Sequence, residues 1–228
     1  MSAAGVHDAS DAAAGYFEHV RPELLALVPE GARTVVDVGC GTGALGAAIK
    51  ARQGARVIGL EFVPEAAAVA EQRLDLVVQA DLDALQDLPL EDASVDAFVF
   101  GDVLEHLRDP QRLLALVQRS LAPDGVLVCS IPNVRHWSVV APLLLEDRFT
   151  YTQAGLLDRT HVHLFTLAEI DEMLRVTGYA VTHLGATTHA MPAHFAPLAQ
   201  IVARYGGDVE QATARLQAYQ YLVVARRA

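Results

Sequence analysis

A run of β-branched residues, Thr34-Val35-Val36-Asp37-Val38, stops on Gly39-Cys40-Gly41-Thr42-Gly43, and the chain that follows to Arg52 is rich in Ala, Leu and Ile. A buried strand, a glycine turn and a helix in direct succession form the unit from which helix-covered parallel sheets are built. Glycines at alternate positions let the backbone turn sharply and approach a ligand closely, while the helix opening there offers N–H groups to polar or anionic atoms. Three glycines after an Asp-bearing strand therefore point to a nucleotide-like ligand at this turn. Gly41, Gly43 and Gly46 also meet the G-x-G-x-x-G spacing of dinucleotide sites. Alone, that spacing does not separate a nicotinamide from another adenosine-containing cofactor.

The alternation continues. Asp11 to Val28 has helical spacing through Tyr16, Phe17, Val20, Leu24 and Val28. Strands are expected at Arg56–Leu60, Leu76–Gln79, Asp96–Phe100 and Val126–Ile131. Pro64 opens another helix, and Asp109-Pro110 sets an N-cap and first-turn proline for a further one that reads to Leu121. After Pro132 the period is lost as far as Leu164, a stretch too long for an ordinary connection and of the kind that forms lids. Thr166-Leu167-Ala168-Glu169 matches a capping box. Tyr179–Leu184 and Tyr219–Ala225 read as late strands, the second closing the sheet as a terminal edge hairpin. The expected fold is α/β, a Rossmann-like, doubly wound, mostly parallel seven-stranded sheet with helices on both faces and a lid insertion after the fifth strand. One domain is expected over 1–228, with an N-terminal helical cap at 8–30, the lid at 133–164 and a late helical insertion at 188–218.

With 228 residues, 52 % of them hydrophobic, the chain has ample material for one core. Its net charge of −11 and scattered arginines, with Lys50 as sole lysine, argue against nucleic acid as a partner. Cys40 and Cys129 lie within apolar runs and fit a reducing compartment. Neither a leader-like start nor a membrane-length apolar run is visible, so a cytoplasmic location is expected.

Several segments converge on the crevice at the carboxyl ends of the strands. Glu61 ends the second strand, where a carboxylate can accept both ribose hydroxyls. Asp81 follows the third, and Gly101-Asp102-Val103-Leu104-Glu105-His106-Leu107 follows the fourth. In this order the segments resemble class I S-adenosylmethionine-dependent methyltransferases, from about Tyr16 to the chain end. Within that family the chain looks most like the ubiquinone-biosynthesis type and, through Ile131-Pro132-Asn133 and Leu157-Asp158-Arg159-Thr160-His161, like methyltransferases found beside polysaccharide genes. The resemblance implies S-adenosyl-L-methionine as cofactor. It implies that Asp37 and the backbone of Gly39, Cys40 and Gly41 hold the methionine part, with Gly43 in the same loop. Glu61 would take the ribose, Phe62 would stack on adenine, and Asp81 and Leu82 would read its edge. Gly101, Asp102 and Val103 would floor the site, and Tyr16 would close over it. The expected reaction is methyl transfer to a small-molecule or sugar hydroxyl, in preference to an amine.

His106, just past the floor, has the chemistry to take a proton from an acceptor, or else it shapes the floor without touching substrate. His136, Trp137, Arg159, His161 and His163 are lid candidates for acceptor contact. His161 and His163 lie two apart and would face the same way on an extended segment, where with Asp158 they could ligate a metal. Two histidines underspecify a metal site, so seating of the lid is the expected role and no metal is assigned. Two rivals are an NAD-dependent oxidoreductase and a catalytically silent domain of this fold. No Tyr-x-x-x-Lys dyad supports the first, and the intact glycine loop speaks against the second.

Overall fold

A computed structural model describes residues 20–228; the expected Tyr16 contact and most of the N-terminal cap lie outside that range. Seven strands form one sheet: β1 (Thr34–Val38), β2 (Arg56–Glu61), β3 (Leu76–Gln79), β4 (Val95–Gly101), β5 (Leu121–Pro132), β6 (Tyr179–Thr188) and β7 (Ala218–Arg227), in the order β3-β2-β1-β4-β5-β7-β6. The first five pair in parallel and β7 runs antiparallel to both neighbours. Strand order reverses between β1 and β4, so the switch-point crevice lies where the glycine turn meets the Gly101 end of β4.

Helices α1 (Pro22–Leu27), α2 (Ala44–Gln53) and α3 (Pro64–Ala70) cover one face. Helices α4 (Pro110–Val117) and α6 (Leu167–Val176) cover the other. The pleat separates the two cores. Val35, Ala97, Val99, Val126 and Val128 pack with Leu24, Leu45 and Ile49. Val36, Val38, Phe98, Phe100 and Leu127 pack with Leu113, Leu114, Ile170 and Leu174. Strands buried on both faces must be largely apolar, which is why these read as Val/Phe-rich runs, interrupted by Asp37 in β1 and Asp96 in β4. A smaller cluster joins α7 (Ala196–Gly206) and α8 (Val209–Gln217) to Trp137 at the start of α5 (Trp137–Glu146).

The helix starts agree with their signals. Asp109 accepts from Arg112 N at 2.9 Å ahead of Pro110. The Thr166–Glu169 box is closed, with Thr166 N donating to Glu169 Oε2 at 2.7 Å. One expectation needs correction. Helix α4 stops at Val117 rather than Leu121, because Arg119 and Ser120 carbonyls accept from Ala93, Ser94 and Val95, and Leu121 already pairs with Val95. The two late strands form the expected antiparallel hairpin at the edge of the sheet. β7 lies between β5 and β6, leaving β6 outermost. The continuous Tyr221–Ala225 run needs cover on every side, whereas β6 is mostly exposed and carries Thr182, His183 and Thr187, which an edge tolerates.

Tyr179 anchors the base of β6. It is 2 % exposed, and its hydroxyl donates to Leu114 O at 2.9 Å. Tyr179→Phe removes that bond and leaves the ring in place, so a urea titration is expected to show a loss of about 1 kcal/mol. A variant as stable as wild type would show that water serves the Leu114 carbonyl equally well.

Candidate active site

The glycine turn is fixed by its backbone and its neighbours. Gly39 has φ +67°, and a Cβ there would stand 2.7 Å from Val103 Cγ2, so the turn and the floor touch where only glycine fits. Gly39 N and Cys40 N donate to Leu60 O at 2.8 and 3.0 Å, which ties the turn to β2. Gly43, at φ +80°, caps α2. The Cys40 thiol sits against Gly59 and is pushed well above its usual range by burial first, then by Asp37 and Glu61. It is a packing group, as is Cys129, whose thiol burial pushes up to about 12.

Two buried carboxylates flank the turn. Glu61, at the end of β2, accepts from Gly41 N at 2.8 Å through Oε2 and from Phe62 N and Val63 N at 2.9 and 2.8 Å through Oε1. A carboxylate has about four acceptor positions. Three are in use, so one is left for a hydroxyl donor and Gly41 N–H must turn away to release another. Asp37 is 3 % exposed, and its Oδ2 has no partner among the described residues. Burial pushes its carboxyl up to about 7, helped by the charge of Glu61 and opposed by the Gly46 N–H. An orphaned buried oxygen beside a helix start is suited to a cationic or donor-bearing ligand. Phe62 is 64 % exposed, an aromatic face left open at the crevice. Asp81 is exposed and accepts from Asp83 N at 3.0 Å, while Leu82 is half-buried against the core.

Asp102, at the end of β4, takes the left-handed conformation with φ +57°, which a non-glycine residue adopts at a cost. It is held there from three elements. Ser130 Oγ on β5 donates at 2.8 Å, Gln220 Nε2 on β7 at 2.7 Å, and Arg21 just ahead of α1 forms an ion pair with Oδ2. Arg21 also donates to Gln220 Oε1 at 3.1 Å. This knot fixes the end of β4. Arg21, Ser130 and Gln220 were not singled out from the sequence, since each is an ordinary residue until the sheet brings them together.

Past the floor, Val103 and Leu104 are buried and Glu105 is 1 % exposed with both oxygens unpartnered among the described residues. Burial pushes its carboxyl well above the usual range, with Asp102's charge adding to the effect. His106 and His161 lie beside it, their ring centroids 4.8 Å apart at 73°. His106 Nδ1 lies 3.2 Å from Thr160 O, and His161 Nδ1 lies 3.2 Å from Leu156 O. Sequence reasoning quoted Glu105 without giving it a role. A carboxylate directly after Val103-Leu104 at a strand end was the available signal.

The lid candidates separate. His161 reaches His106, but His163 Nε2 turns to Arg108 O at 3.3 Å and its ring packs on Phe165, so the two histidines do not share a face. Irregular backbone between them, fastened by Val162 N and His163 N to Glu105 O at 2.8 and 3.0 Å, replaces the extended segment that alternation assumed. Asp158 Oδ1 is taken by Thr160 N and Oγ1. Arg159 is exposed. His136 is 1 % exposed, caps α5 through Ser138, and sits among the rings of Trp137, His189 and Tyr219. Burial, with His189 second, lowers it to about 4, so it is a neutral packing imidazole. Trp137 donates to His189 O at 3.3 Å and packs on Phe195.

Among the described residues no helix is long and apolar enough to cross a membrane. A family model for a methyltransferase domain matches residues 12–184. The chain is 33 % identical over 181 residues to a Mycolicibacterium smegmatis protein named as a probable S-adenosylmethionine-dependent methyltransferase, covering 79 % of this chain and 63 % of that one. It is 40 % identical over 111 residues to a ubiquinone biosynthesis O-methyltransferase of Xanthomonas axonopodis pv. citri, 47 % of this chain and 46 % of the relative. It thus spans less than two thirds of these relatives' length. A Mesorhizobium loti S-adenosylmethionine-dependent methyltransferase superposes with a TM-score of 0.61 at 26 % identity, covering 90 % of this chain and 96 % of that one. The chain found in complex with the Trm112 methyltransferase activator of Haloferax volcanii superposes with a TM-score of 0.64 at 23 % identity, over 98 % of this chain and 97 % of that one, a likeness of fold. With its switch-point glycine turn, its paired carboxylates and its matching family model, the chain belongs to the class I S-adenosylmethionine-dependent methyltransferases.

Proposed function

We propose that this protein transfers a methyl group to a hydroxyl of a small molecule or sugar. The observation that carries the reading is the Asp37–Glu61 pair around the glycine turn. One carboxylate has an orphaned oxygen and the other has acceptor capacity to spare. S-adenosylmethionine, when bound, supplies a methyl on a sulfonium, a leaving group that needs no acid. The chain's own work is then to align, to exclude water and to handle a proton. In this reading Asp37 receives the ammonium of the methionine part, Glu61 takes ribose hydroxyls as Gly41 N–H turns to the ligand, and Phe62 covers the adenine. Asp81 and Leu82 line its edge, and Gly101, Asp102 and Val103 form the floor. Residues 133–164 act as the lid, with Trp137, Arg159 and His161 the side chains nearest an entering acceptor. His136 and His163 seat that lid.

The ubiquinone-type relatives favour an oxygen acceptor over nitrogen. His106, two positions past Leu104 and beside the lid's His161, is assigned to the acceptor's proton. His106→Ala is expected to lower kcat about 100-fold with a screened hydroxyl acceptor, while affinity for S-adenosylhomocysteine changes little. Turnover within a few-fold of wild type would remove His106 from the chemistry and leave alignment to do the work. A methyl-acceptor screen with sugars and phenols, read as S-adenosylhomocysteine formed, tests the whole proposal. No turnover with any hydroxyl compound and clear turnover with amines would overturn the oxygen preference.

A further inference from the structure

Tyr219, near the start of β7, stands over the carboxyl end of β5, where its backbone carbonyl accepts from Asn133 N at 2.9 Å. It lies two strands from the Asp102 end of β4, about 10 Å at ordinary strand spacing, which leaves room for a six-membered ring between them. Burial raises the Tyr219 phenol, the Leu156 N–H opposes the rise and the charge of Asp102 adds to it. The hydroxyl is therefore within electrostatic reach of both. His189, exposed after β6, stacks on Tyr219 with ring centroids 4.3 Å apart at 32°. His136 meets both rings at nearly a right angle, 5.6 Å from His189 and 5.3 Å from Tyr219. One atom of this group is left over. Ser138 N–H donates to His136 Nδ1 at 3.3 Å, so the neutral imidazole carries its proton on Nε2. That Nε2–H is buried and has no acceptor among the described residues, a costly arrangement until an oxygen meets it.

We propose that His136, His189 and Tyr219 form the subsite that selects the methyl acceptor, and that it takes a six-membered ring bearing an accepting oxygen. The ring lies along the Tyr219–His189 stack, and the oxygen receives the His136 Nε2–H. Aromatic side chains serve the face of a phenol and the C–H face of a pyranose alike, so the shared chemistry is a ring face with one accepting oxygen beside it. The oxygen held by His136 is distinct from the reacting hydroxyl, which the ring carries back toward Asp102. The three residues come from separate parts of the chain: His136 caps α5, His189 follows β6 and Tyr219 belongs to β7. A bound ring therefore ties these three elements together. The inference rests on the methyltransferase reading for its use, and it gives the choice of acceptor to Tyr219 and His189, which have no part in holding the cofactor.

Trp137, the chain's single tryptophan, lies 5.1 Å from the His136 ring and reports on the subsite without turnover. Its emission is followed while the full chain, loaded with S-adenosylhomocysteine, is titrated with 4-methoxyphenol and separately with methyl glucopyranoside. The expected result is a saturable change with at least one of them. Tyr219→Leu, which keeps bulk and removes the ring, should weaken it about tenfold. His136→Leu, which removes the donor, should weaken it about tenfold as well, and His136→Gln should recover part of that loss by returning an N–H. His183→Ala, exposed elsewhere on β6, should change nothing. Affinity for S-adenosylhomocysteine should stay within a few-fold throughout. Saturation by the phenol alone assigns the subsite to an aromatic ring, and by the glucoside alone to a sugar. No saturation by either, in protein that binds S-adenosylhomocysteine, would overturn the subsite, as would saturation that Tyr219→Leu and His189→Ala leave undiminished. Saturation without methyl transfer to any hydroxyl compound would support the subsite and sink the oxygen-methylation reading. If the variants of buried His136 do not fold, His189→Ala, at an exposed position, carries the comparison beside Tyr219→Leu.

Discussion

Glu61→Gln is expected to lower affinity for S-adenosylhomocysteine about 100-fold in a calorimetric titration. The substitution keeps the shape of the side chain and removes its charge. Hydrogen bonds to a carboxylate exceed those to a neutral group by roughly 1–1.5 kcal/mol each, and two ribose hydroxyls are affected. A second loss adds to the first. Glu61 accepts from Gly41, Phe62 and Val63 backbone N–H groups, and an amide offers one oxygen where the carboxylate offers two. The turn therefore loosens even before ligand arrives. Glu61→Ala leaves all three N–H groups unserved and is expected to lower the melting temperature as well as abolish measurable binding. The two variants divide the roles, since the Gln variant reports on charge and the Ala variant on the shape of the turn. Unchanged affinity in Glu61→Gln, in protein that melts like wild type, would show that the ribose is not bound here.

The elements nearest the cofactor were legible because local chemistry specifies them. The Thr34–Val38 strand, the glycine turn and α2 need only nearest-neighbour rules, and Asp109-Pro110 and Thr166–Glu169 announce their helices by capping. What stayed hidden depends on contacts far apart in sequence. Gln220 meets Asp102 across 118 positions, and nothing near either residue hints at it. The insertion of β7 between β5 and β6 is likewise a decision about burial of the whole sheet, although the unbroken Tyr221–Ala225 run carried the clue. Alternation misplaced His163 because period-two reasoning needs an extended backbone, and Val162 and His163 instead fasten to the carbonyl of Glu105. The same fastening brings His161 to His106. The candidate chemistry thus arises where residues 147–163 depart from regular structure, which is where sequence periodicity has least to say.

The ligand-free fold is expected to lose stability as pH rises from about 4 to about 7, and Asp37→Asn is expected to remove Asp37's share of that loss, leaving the share of Glu105, whose carboxyl burial also raises. Asp37 ionises near 3.8 when the chain is unfolded and near 7 when folded, mainly because burial disfavours its charge. Between those values the folded chain keeps a proton that the unfolded chain has released. Stability from this group is therefore complete below the lower value, declines through the interval and is spent above 7. The full decline amounts to about 4 kcal/mol. Asparagine keeps an oxygen for the Gly46 N–H and carries no charge, so the ligand-free variant should be the more stable protein at pH 8 by a few kcal/mol. Binding reverses the balance. An ammonium placed against Asp37 favours the ionised carboxylate, so wild-type protein at pH 6 should release a proton as it takes up S-adenosylhomocysteine, and the variant should release none from this site while binding at least tenfold more weakly. Calorimetry in two buffers of different ionisation enthalpy measures that proton, and urea titrations at pH 5 and 8 measure the stability. Parallel stability curves for the two proteins would refute the buried-carboxyl account. Equal proton release in both would place the methionine ammonium somewhere other than Asp37.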